Sequence, residues 1–360
     1  MKRLAIAAAV LLAVPAASGA QAPAAPPQIA FDAIDAVKPP VDMHLGEVAG
    51  VAVNAAGHIF VFHRGSTTGP AYGAAAAQLL EFGKDGRFIR EIGKNLYAWS
   101  FAHAVRVDPE GAIWAADKGS DMVIKFTPEG RVAMVFGRKP EASDENAHPL
   151  EHPRPPLPAV DGNFRQVTDM AWDSQGNTYI SDGYINSRVA KVAKDGRWLK
   201  SWGSFGKEPG QFDTLHSIAV DASDRVYVAD RGNRRIQLFD TEGKLLKIIT
   251  IDVPSPPDAP AAIGNRPVPG QGPALMQPGA PWALCITPKG PKGQFLYVAD
   301  AWPGRLYKLN LDGQVLGWLG GSGKQLKQFG WIHEIACPSE NELYVGELLN
   351  WRLQKLTLHP

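Results

Sequence analysis

Short apolar runs recur along the chain and alternate with polar turns that contain glycine, aspartate or proline. In one repeating unit, an apolar run ends in Asp, a glycine turn follows, and a second run ends in Ala-Asp or a similar pair. Clear copies are Val105–Asp108 with Ile113–Asp117, and Ile218–Asp221 with Val226–Asp230. Runs this short, rich in Val, Ile and Tyr, predict β-strands, and their recurrence predicts a repeat architecture.

Six copies of the unit align on the residue that ends the first strand. These residues are Asn54, Asp108, Asp173, Asp221, Thr287 and Pro338. In five copies, a third strand is followed by an Asp-Gly or Glu-Gly pair and then by a fourth strand. Glycine takes positive φ without steric cost, so such pairs favour hairpin turns. Four strands per copy are typical of a propeller blade, so we predict an all-β, six-bladed β-propeller over residues 44–360.

The sixth copy stops at Pro360 after its third strand, which would leave a sheet edge open. Gln28–Ile34 is the obvious donor of a fourth strand, and it would close the ring with the N-terminal segment. The rest of residues 21–43 is rich in Ala and Pro and predicts a linker. Two further Pro-rich stretches, 139–162 and 253–281, interrupt the repeat and predict long loops between blades.

Arginine recurs shortly after the second strand of several copies. It stands at Arg188, Arg235 and Arg352, each close behind an Asn, and Arg305 takes this place in the fifth copy. This pattern resembles the NHL-type repeat of six-bladed propellers. A residue that repeats with the unit usually serves the fold, so we expect these arginines to bridge strands or neighbouring blades.

The N-terminus predicts a signal peptide over residues 1–20. Lys2 and Arg3 precede the apolar run Leu4–Val14, and Ser18–Ala20 offers the small-x-small pattern of a cleavage site. The run is too short to span a bilayer comfortably, which argues against a membrane anchor. We therefore expect cleavage after Ala20 and an exported protein, either periplasmic or secreted.

The net charge is +1, from 37 basic and 36 acidic residues, which gives no support for a nucleic-acid or anionic-membrane partner. We expect a monomer that acts on a small molecule or a peptide. Export permits disulfides, yet Cys285 and Cys337 are the only cysteines, so one bridge at most can form. Of the two states, we favour a pair of free, buried thiols.

Histidine occupies one repeat position in alternate copies. Five residues before the aligned position stand Ala49, His103, Thr168, His216, Trp282 and His333. In a six-bladed ring, alternate blades lie about 120° apart around the axis that the first strands line. Three imidazoles at equal depth would converge on one point, and three neutral nitrogens with an open fourth position are typical of catalytic zinc. The chain has nine histidines, so three unrelated ones falling into this register is the weaker interpretation.

A resemblance to a known family extends from about Leu45 to the C-terminus. The matching segments are Leu45–Val51, Phe62–Gly65, Gly93–Leu96, Ser181–Arg188, Leu215–Ser217, Val228–Arg231 and Ile332–Glu334, together with His103. In this order they resemble peptidyl-α-hydroxyglycine α-amidating lyase, the lyase domain of peptide C-terminal amidation. The resemblance implies a lyase that cleaves a carbinolamide C–N bond to give an amide and glyoxylate.

The resemblance also implies roles for individual residues. It implies zinc bound by His103, His216 and His333, with Arg64 and Tyr184 as catalytic residues facing the metal. Blade three has one extra residue in the turn beside Tyr184, because Asp182 to Asn186 takes four steps where Asp230 to Asn233 takes three. The longer turn favours a phenol that reaches into the pocket, although the alternative of a surface tyrosine in a loop stays open. For Arg64, the alternative is a salt bridge at the end of a strand.

A structural calcium on the axis is a further implication of the resemblance. Its ligands would be the carbonyl groups of Val51 and Val105 and the carboxylate of Glu334, where the family has Asp. Glu is one methylene longer, although it can bind calcium. Trp331 stands where the animal enzymes have Met, and this change is expected to reshape the pocket.

Two other functions compete with the lyase. One is a non-catalytic NHL-type propeller that binds a peptide or protein in the periplasm. The other is a calcium-dependent, lactonase-like hydrolase, which would need several axial acids and Asn ligands where this chain has histidines.

Overall fold

The computed structural model describes residues 25–65, 77–139, 158–264, 268 and 271–359. Six four-stranded antiparallel sheets make up this part of the chain, so the predicted six-bladed β-propeller is confirmed. The predicted signal peptide and most of the predicted loop 139–162 lie outside the described residues. No helix in the described ranges is long and apolar enough to cross a membrane.

The strands follow the chain in blade order. Blade one contains β2 (Val48–Val53), β3 (Ile59–His63), β4 (Gln78–Phe82) and β5 (Phe88–Ile92). Blade two contains β6 (Ala102–Val107), β7 (Ile113–Asp117), β8 (Met122–Phe126) and β9 (Val132–Gly137). Blade three contains β10 (Asp169–Trp172), β11 (Thr178–Asp182), β12 (Arg188–Val192) and β13 (Trp198–Trp202).

The second half of the ring repeats this order. Blade four contains β14 (Leu215–Val220), β15 (Val226–Asp230), β16 (Arg235–Phe239) and β17 (Leu245–Ile249). Blade five contains β18 (Ala283–Ile286), β19 (Phe295–Ala299), β20 (Arg305–Asn310) and β21 (Val315–Gly320). Blade six contains β22 (Ile332–Ser339), β23 (Glu342–Glu347), β24 (Arg352–His359) and, from the N-terminus, β1 (Ala30–Asp35).

The N-terminal strand closes the ring. β1 pairs antiparallel with β24, from Ala30 opposite His359 to Asp35 opposite Gln354. This pairing covers an edge that would otherwise expose unpaired backbone groups. The strand begins two residues later and ends one residue later than the predicted donor Gln28–Ile34, and it joins the two ends of the described chain in one sheet.

Each interface between neighbouring blades has its own hydrophobic cluster. Between blades one and two, for example, Phe60 and Phe62 pack with Trp99, Ile113 and Phe126. The second strands β3, β7, β11 and β15 are buried along their whole length, as expected for runs rich in aromatic and β-branched residues. The core is therefore a ring of wedges, and the first strands are left to line the axis.

The repeated arginines hold the blades in shape, as expected. Arg235 Nε donates to Asp230 at 2.7 Å, and Nη2 donates to the carbonyl of Gln211 at 3.0 Å. Arg352 makes the equivalent bond to Glu347 at 2.7 Å. Each of these two guanidiniums ties the end of a second strand to the loop that enters the blade. Their role is structural.

The prediction of two free thiols was wrong, because Cys285 and Cys337 form a disulfide. Cys285 lies in β18 and Cys337 in β22, the first strands of adjacent blades, with Cα atoms 6.0 Å apart. First strands of neighbouring blades run side by side along the axis, which brings cysteines 52 residues apart into bonding distance. The bond is consistent with an oxidising, extracytoplasmic compartment.

Candidate metal centre

A local irregularity places each of the three histidines. His103, His216 and His333 are the second residues of β6, β14 and β22, and each lies where the pairing register with the next strand shifts. A shift of this kind takes a residue out of the ladder and re-aims its side chain. The three imidazoles therefore turn towards the axis instead of packing between blades.

The three rings form a nearly equilateral triangle. Their centroids are 4.6, 4.7 and 4.8 Å apart, and the potential ligand atoms of His103, His216 and His333 all lie within 4.8 Å of one another. All three side chains are buried. The predicted convergence of alternate blades is confirmed, and the cluster is of the kind that could hold a metal ion.

The backbone of the intervening blades orients each ring. Nδ1 of His103 donates to the carbonyl of Thr168 at 2.7 Å, that of His216 to Trp282 at 2.6 Å, and that of His333 to Ala49 at 2.7 Å. The accepting residues occupy the histidine position in the other three blades. Because Nδ1 carries the proton, the lone pair is on Nε2, and a second-shell bond of this kind fixes the orientation of a metal ligand.

The three imidazoles are held in the neutral form that binds a metal ion, as well as in a suitable orientation. Burial lowers the pKa of all three imidazoles well below the usual value, and nearby positive charges of Arg64 and Arg231 act in the same direction. Within the described part of the chain, Nε2 of His216 is buried and has no hydrogen-bond partner. A buried lone pair without a donor is costly unless a ligand satisfies it, so the residues present fit a metal ion.

Tyr184 lies against this triangle. Its phenol oxygen is 3.5 Å from Nε2 of His103, and its ring centroid is 5.7 Å from that of His103 and 6.0 Å from that of His216. Burial opposes ionisation of the phenol, yet the charges of Arg231, Lys118 and Arg64 together lower its pKa below the usual value. Tyr184 is therefore inside the pocket and not on the outer surface.

Arg64 is at the same end of the ring. Its guanidinium lies 3.8 Å from the ring centre of Phe101, pairs with Glu47 at 2.6 Å and donates to the carbonyl of Ala102 at 3.1 Å. The predicted alternative for Arg64, a salt bridge at a strand end, therefore exists. It coexists with a position near the histidines, because the Arg64 charge lowers the pKa of both His103 and His333.

Two cations in the site were not predicted from the sequence. Nζ of Lys118 lies 3.7 Å from the ring centre of Tyr184, and the guanidinium of Arg231 lies 5.3 Å from it. Arg231 is buried, and its Nε and Nη1 have no hydrogen-bond partner among the described residues. Buried donors without acceptors at the edge of a pocket are suited to an anionic ligand.

A repeat position links these cations with Tyr184. The backbone N–H of Arg64, Lys118, Tyr184 and Arg231 donates in each case to the carbonyl two residues before the histidine position of its blade. Gly183, the extra residue of blade three, lets Tyr184 take the place that a cation has in blades one, two and four. The same alignment that found the histidines therefore contained the signal for Lys118 and Arg231.

Sequence comparisons identify the repeat and several similar proteins. The family model for the NHL repeat matches residues 212–239. The chain is 28% identical over 212 residues to a probable peptidyl-alpha-hydroxyglycine alpha-amidating lyase of Caenorhabditis elegans, covering 54% of this chain and 56% of that protein. This chain is a six-bladed β-propeller with an NHL repeat, and its sequence is similar to that of an amidating lyase.

Two further comparisons define the extent of the similarity. The chain is 29% identical over 222 residues to the peptidylglycine alpha-amidating monooxygenase of Rattus norvegicus, covering 55% of this chain and 21% of that protein. The chain thus spans about a fifth of the length of the rat protein and about half of the nematode one. A solved streptogramin B lyase covers 91% of this propeller and 98% of its own chain, with a TM-score of 0.53 and 12% identity, which shows the fold alone.

Two tryptophans add an aromatic part to the site. The ring of Trp282 lies 4.9 Å from that of His216 and 5.0 Å from that of Trp331, which it meets at 90°. The Pro-rich segment predicted at 253–281 supports this part, because Nε1 of Trp282 donates to the carbonyl of Leu275 at 2.8 Å. The guanidinium of Arg231 lies 3.9 Å from the ring centre of Trp282, so the cationic and aromatic parts of the site meet there.

Glu334, the acid expected to bind calcium, is already paired with other groups in this structure. Burial raises the pKa of Glu334, and its carboxylate pairs with Arg106 at 2.5 Å. The backbone groups that hydrogen-bond to this carboxylate are the amides of Val105, at 3.2 Å, and of Val51. The partners of the acid in this structure are therefore two amide donors and a guanidinium.

Proposed function

We propose that this propeller is a zinc-dependent lyase that splits a peptidyl- or acyl-α-hydroxyglycine into an amide and glyoxylate. One observation carries the proposal: three buried histidines direct Nε2 lone pairs at one place on the axis, beside a tyrosine and three cations. The similarity to amidating enzymes supports the choice of substrate class.

Zinc is the metal that we assign to the cluster. His103, His216 and His333 would hold it through Nε2, and three protein ligands leave a fourth position for substrate, as in catalytic zinc sites. Bound zinc would supply a Lewis acid that lowers the pKa of a coordinated hydroxyl group. The Nδ1 bonds to the backbone carbonyls keep the three rings in place while a substrate enters and leaves.

The cations would bind the carboxylate of the hydroxyglycine. A guanidinium can hold a carboxylate through two parallel N–H bonds, and Arg231 has two buried N–H groups without partners. Arg64 is the second such group, held in position by Glu47 and by stacking on Phe101. Lys118 adds a third positive charge next to Tyr184 and favours a substrate that carries at least one negative charge.

Tyr184 would exchange the proton of the hydroxyl group. The reaction breaks the bond between the α-carbon and the amide nitrogen, the hydroxyl loses its proton to become the aldehyde of glyoxylate, and the nitrogen gains a proton. The phenol oxygen lies 3.5 Å from Nε2 of His103. A general base must lie within reach of the proton that it removes, and Tyr184 meets this requirement of position.

The acyl part of the substrate would lie against Trp282 and Trp331. Their rings meet at 90° and form an apolar corner beside Arg231, and such surfaces favour aromatic or aliphatic groups. We place the reaction outside the cytoplasm, after removal of the signal peptide, and the Cys285–Cys337 disulfide supports this. We expect the protein to act as a monomer, without nucleic acid or membrane.

The test combines metal analysis with an assay on α-hydroxyhippurate, an acyl-α-hydroxyglycine with an aromatic acyl group. Zinc-loaded protein should contain about one zinc per chain and release glyoxylate faster than the zinc-free protein. The matched control is His359→Ala, which removes an exposed histidine at the end of β24 and should change neither result. Zinc-loaded protein that releases no glyoxylate would contradict the lyase and favour a propeller that only binds its partner.

A further inference from the structure

Arg106 follows His103 by three positions in β6, and its side chain contacts the first strands of other blades. Its Nε donates to Asp169 Oδ1 at 2.9 Å, and its Nη2 donates to Asp169 Oδ2 at 2.7 Å and pairs with Glu334 at 2.5 Å. Nη1 donates to the carbonyl of Ile335 at 3.1 Å, and Nη2 also reaches the carbonyl of Leu284 at 3.3 Å. One guanidinium therefore connects blades two, three, five and six.

The two carboxylates around Arg106 are satisfied by other donors as well. Glu334 Oε2 accepts from the amide of Val105 at 3.2 Å. Asp169 Oδ2 accepts from the hydroxyl of Ser217 at 2.7 Å and from the amide of Ile218 at 3.2 Å. Each of the four carboxylate oxygens has at least one donor, and blade four joins the network through Ser217.

In this network every partner of the Asp169 and Glu334 carboxylates is a hydrogen-bond donor. Calcium takes about six to eight oxygen ligands at about 2.3–2.6 Å, whereas Val51 and Val105 offer amide N–H groups to Glu334. A calcium ion among these groups would also stand beside a buried guanidinium that cannot lose its charge. The two cations would compete for the same carboxylates.

We propose that the guanidinium of Arg106 is the axial cation of this propeller, in place of a structural calcium ion, and that the ring is stable without calcium. A guanidinium suits the position because its planar fork can bind a carboxylate through two bonds and still donate to backbone carbonyls. The proposal concerns the scaffold and stands apart from the proposed lyase, so the absence of glyoxylate release would not affect it.

The wild-type protein provides the first test. Metals are stripped with a chelator, and the protein is reloaded either with zinc alone or with zinc and calcium. We expect the same melting temperature in both samples, and no stoichiometric calcium in protein dialysed from calcium-containing buffer. Stoichiometric calcium, or a melting temperature several degrees higher with calcium, would overturn the proposal.

Variants test the role of the guanidinium as a counter-ion. Arg106→Met should lower the melting temperature, because it leaves Asp169 and Glu334 buried without their cation. Adding Glu334→Gln to Arg106→Met should then recover part of the loss. In the matched control, Arg235→Met also removes an arginine paired with a buried acid, but adding Glu334→Gln there should give no recovery.

Equal behaviour in the two arginine backgrounds would overturn the role of Arg106 as the axial cation. If Arg106→Met yields no folded protein, Arg106→Lys provides the same comparison, because it keeps the charge and loses the fork. In that case Arg106→Lys should melt below the wild type, with or without calcium. A melting temperature equal to that of the wild type would contradict the proposal.

Discussion

Two layers of side chains line the same axis, one built by the three histidines and one by Arg106 with its two carboxylates. They differ in whether their buried polar groups have partners. In the histidine layer, one nitrogen of each ring is bonded to the backbone, and Nε2 of His216 has no partner among the described residues. In the layer of Arg106, all four carboxylate oxygens of Asp169 and Glu334 have donors.

The difference shows where a ligand can bind. A layer whose polar atoms satisfy one another gains rigidity and has little to offer an ion, whereas a layer with orphaned lone pairs and donors is stable only when something fills it. Arg106 is three positions after His103 in β6, and Glu334 directly follows His333 in β22. The upper layer is therefore suited to chemistry, and the lower one to holding the blades together.

Removing one histidine should have the largest effect on the histidine layer. His216→Ala takes away one of three metal ligands, so we expect bound zinc to fall from about one per chain to almost none and glyoxylate release to fall at least about 10³-fold. Elemental analysis and the α-hydroxyhippurate assay measure the two effects. Full zinc content in His216→Ala would contradict the assignment of the cluster, and His359→Ala serves as the control.

Removing the phenol oxygen should separate binding of the metal from chemistry. Tyr184→Phe keeps the ring beside His103 but has no proton to exchange, so kcat should fall about 10²–10⁴-fold, the usual contribution of a general acid or base. Zinc content should stay at the wild-type level. An unchanged kcat would show that another group moves the proton.

Removing one buried cation should weaken substrate binding. Arg231→Met deletes the unpartnered N–H groups, and a hydrogen bond to a charged group contributes about 1.5–3 kcal/mol, so kcat/KM should fall about 10- to 150-fold, mainly through KM. The control is Arg225→Met, which removes a partly exposed arginine that pairs with Asp221 away from the pocket. Equal KM values for Arg231→Met and the wild type would remove Arg231 from the site.

Removing the disulfide should affect the scaffold and leave the chemistry intact. Cys285 and Cys337 join blades five and six next to the Arg106 network, and the bond closes a span of 52 residues. Cys285→Ser with Cys337→Ser should lower the free energy of unfolding by about 2–4 kcal/mol, while kcat stays the same. Denaturant unfolding measures the loss, and a double variant as stable as the wild type would argue against a structural role.

The fold was predictable because the same information occurs six times. The aligned strand ends predict six blades. The shared repeat position of His103, His216 and His333 predicts that histidine side chains from alternate blades converge on the axis. Tyr184 was predictable from a break in the repeat, the extra residue Gly183. Each of these signals is local, or is a comparison of equivalent positions.

What the sequence did not reveal depends on contacts between unequal positions. Cys285 and Cys337 do not occupy the same position of the repeat, so aligning the repeats does not pair them. They come together because β18 and β22 pack side by side. Arg106 forms an ion pair with Glu334, which lies 228 positions later in the sequence, and no residue near Arg106 in the sequence indicates this partner. Lys118 and Arg231 are different, because one repeat position contains both of them as well as Arg64, and a search of that position would have found them.

The zinc-edge X-ray absorption spectrum of the zinc-loaded protein tests the central claim most directly, namely that alternate blades build an open metal centre. We predict a four-coordinate zinc with three imidazole nitrogens at about 2.0–2.1 Å and one further light atom. The His216→Ala variant should lack this spectrum. A zinc shell made of oxygen atoms alone, or the same spectrum with and without His216, would contradict the account.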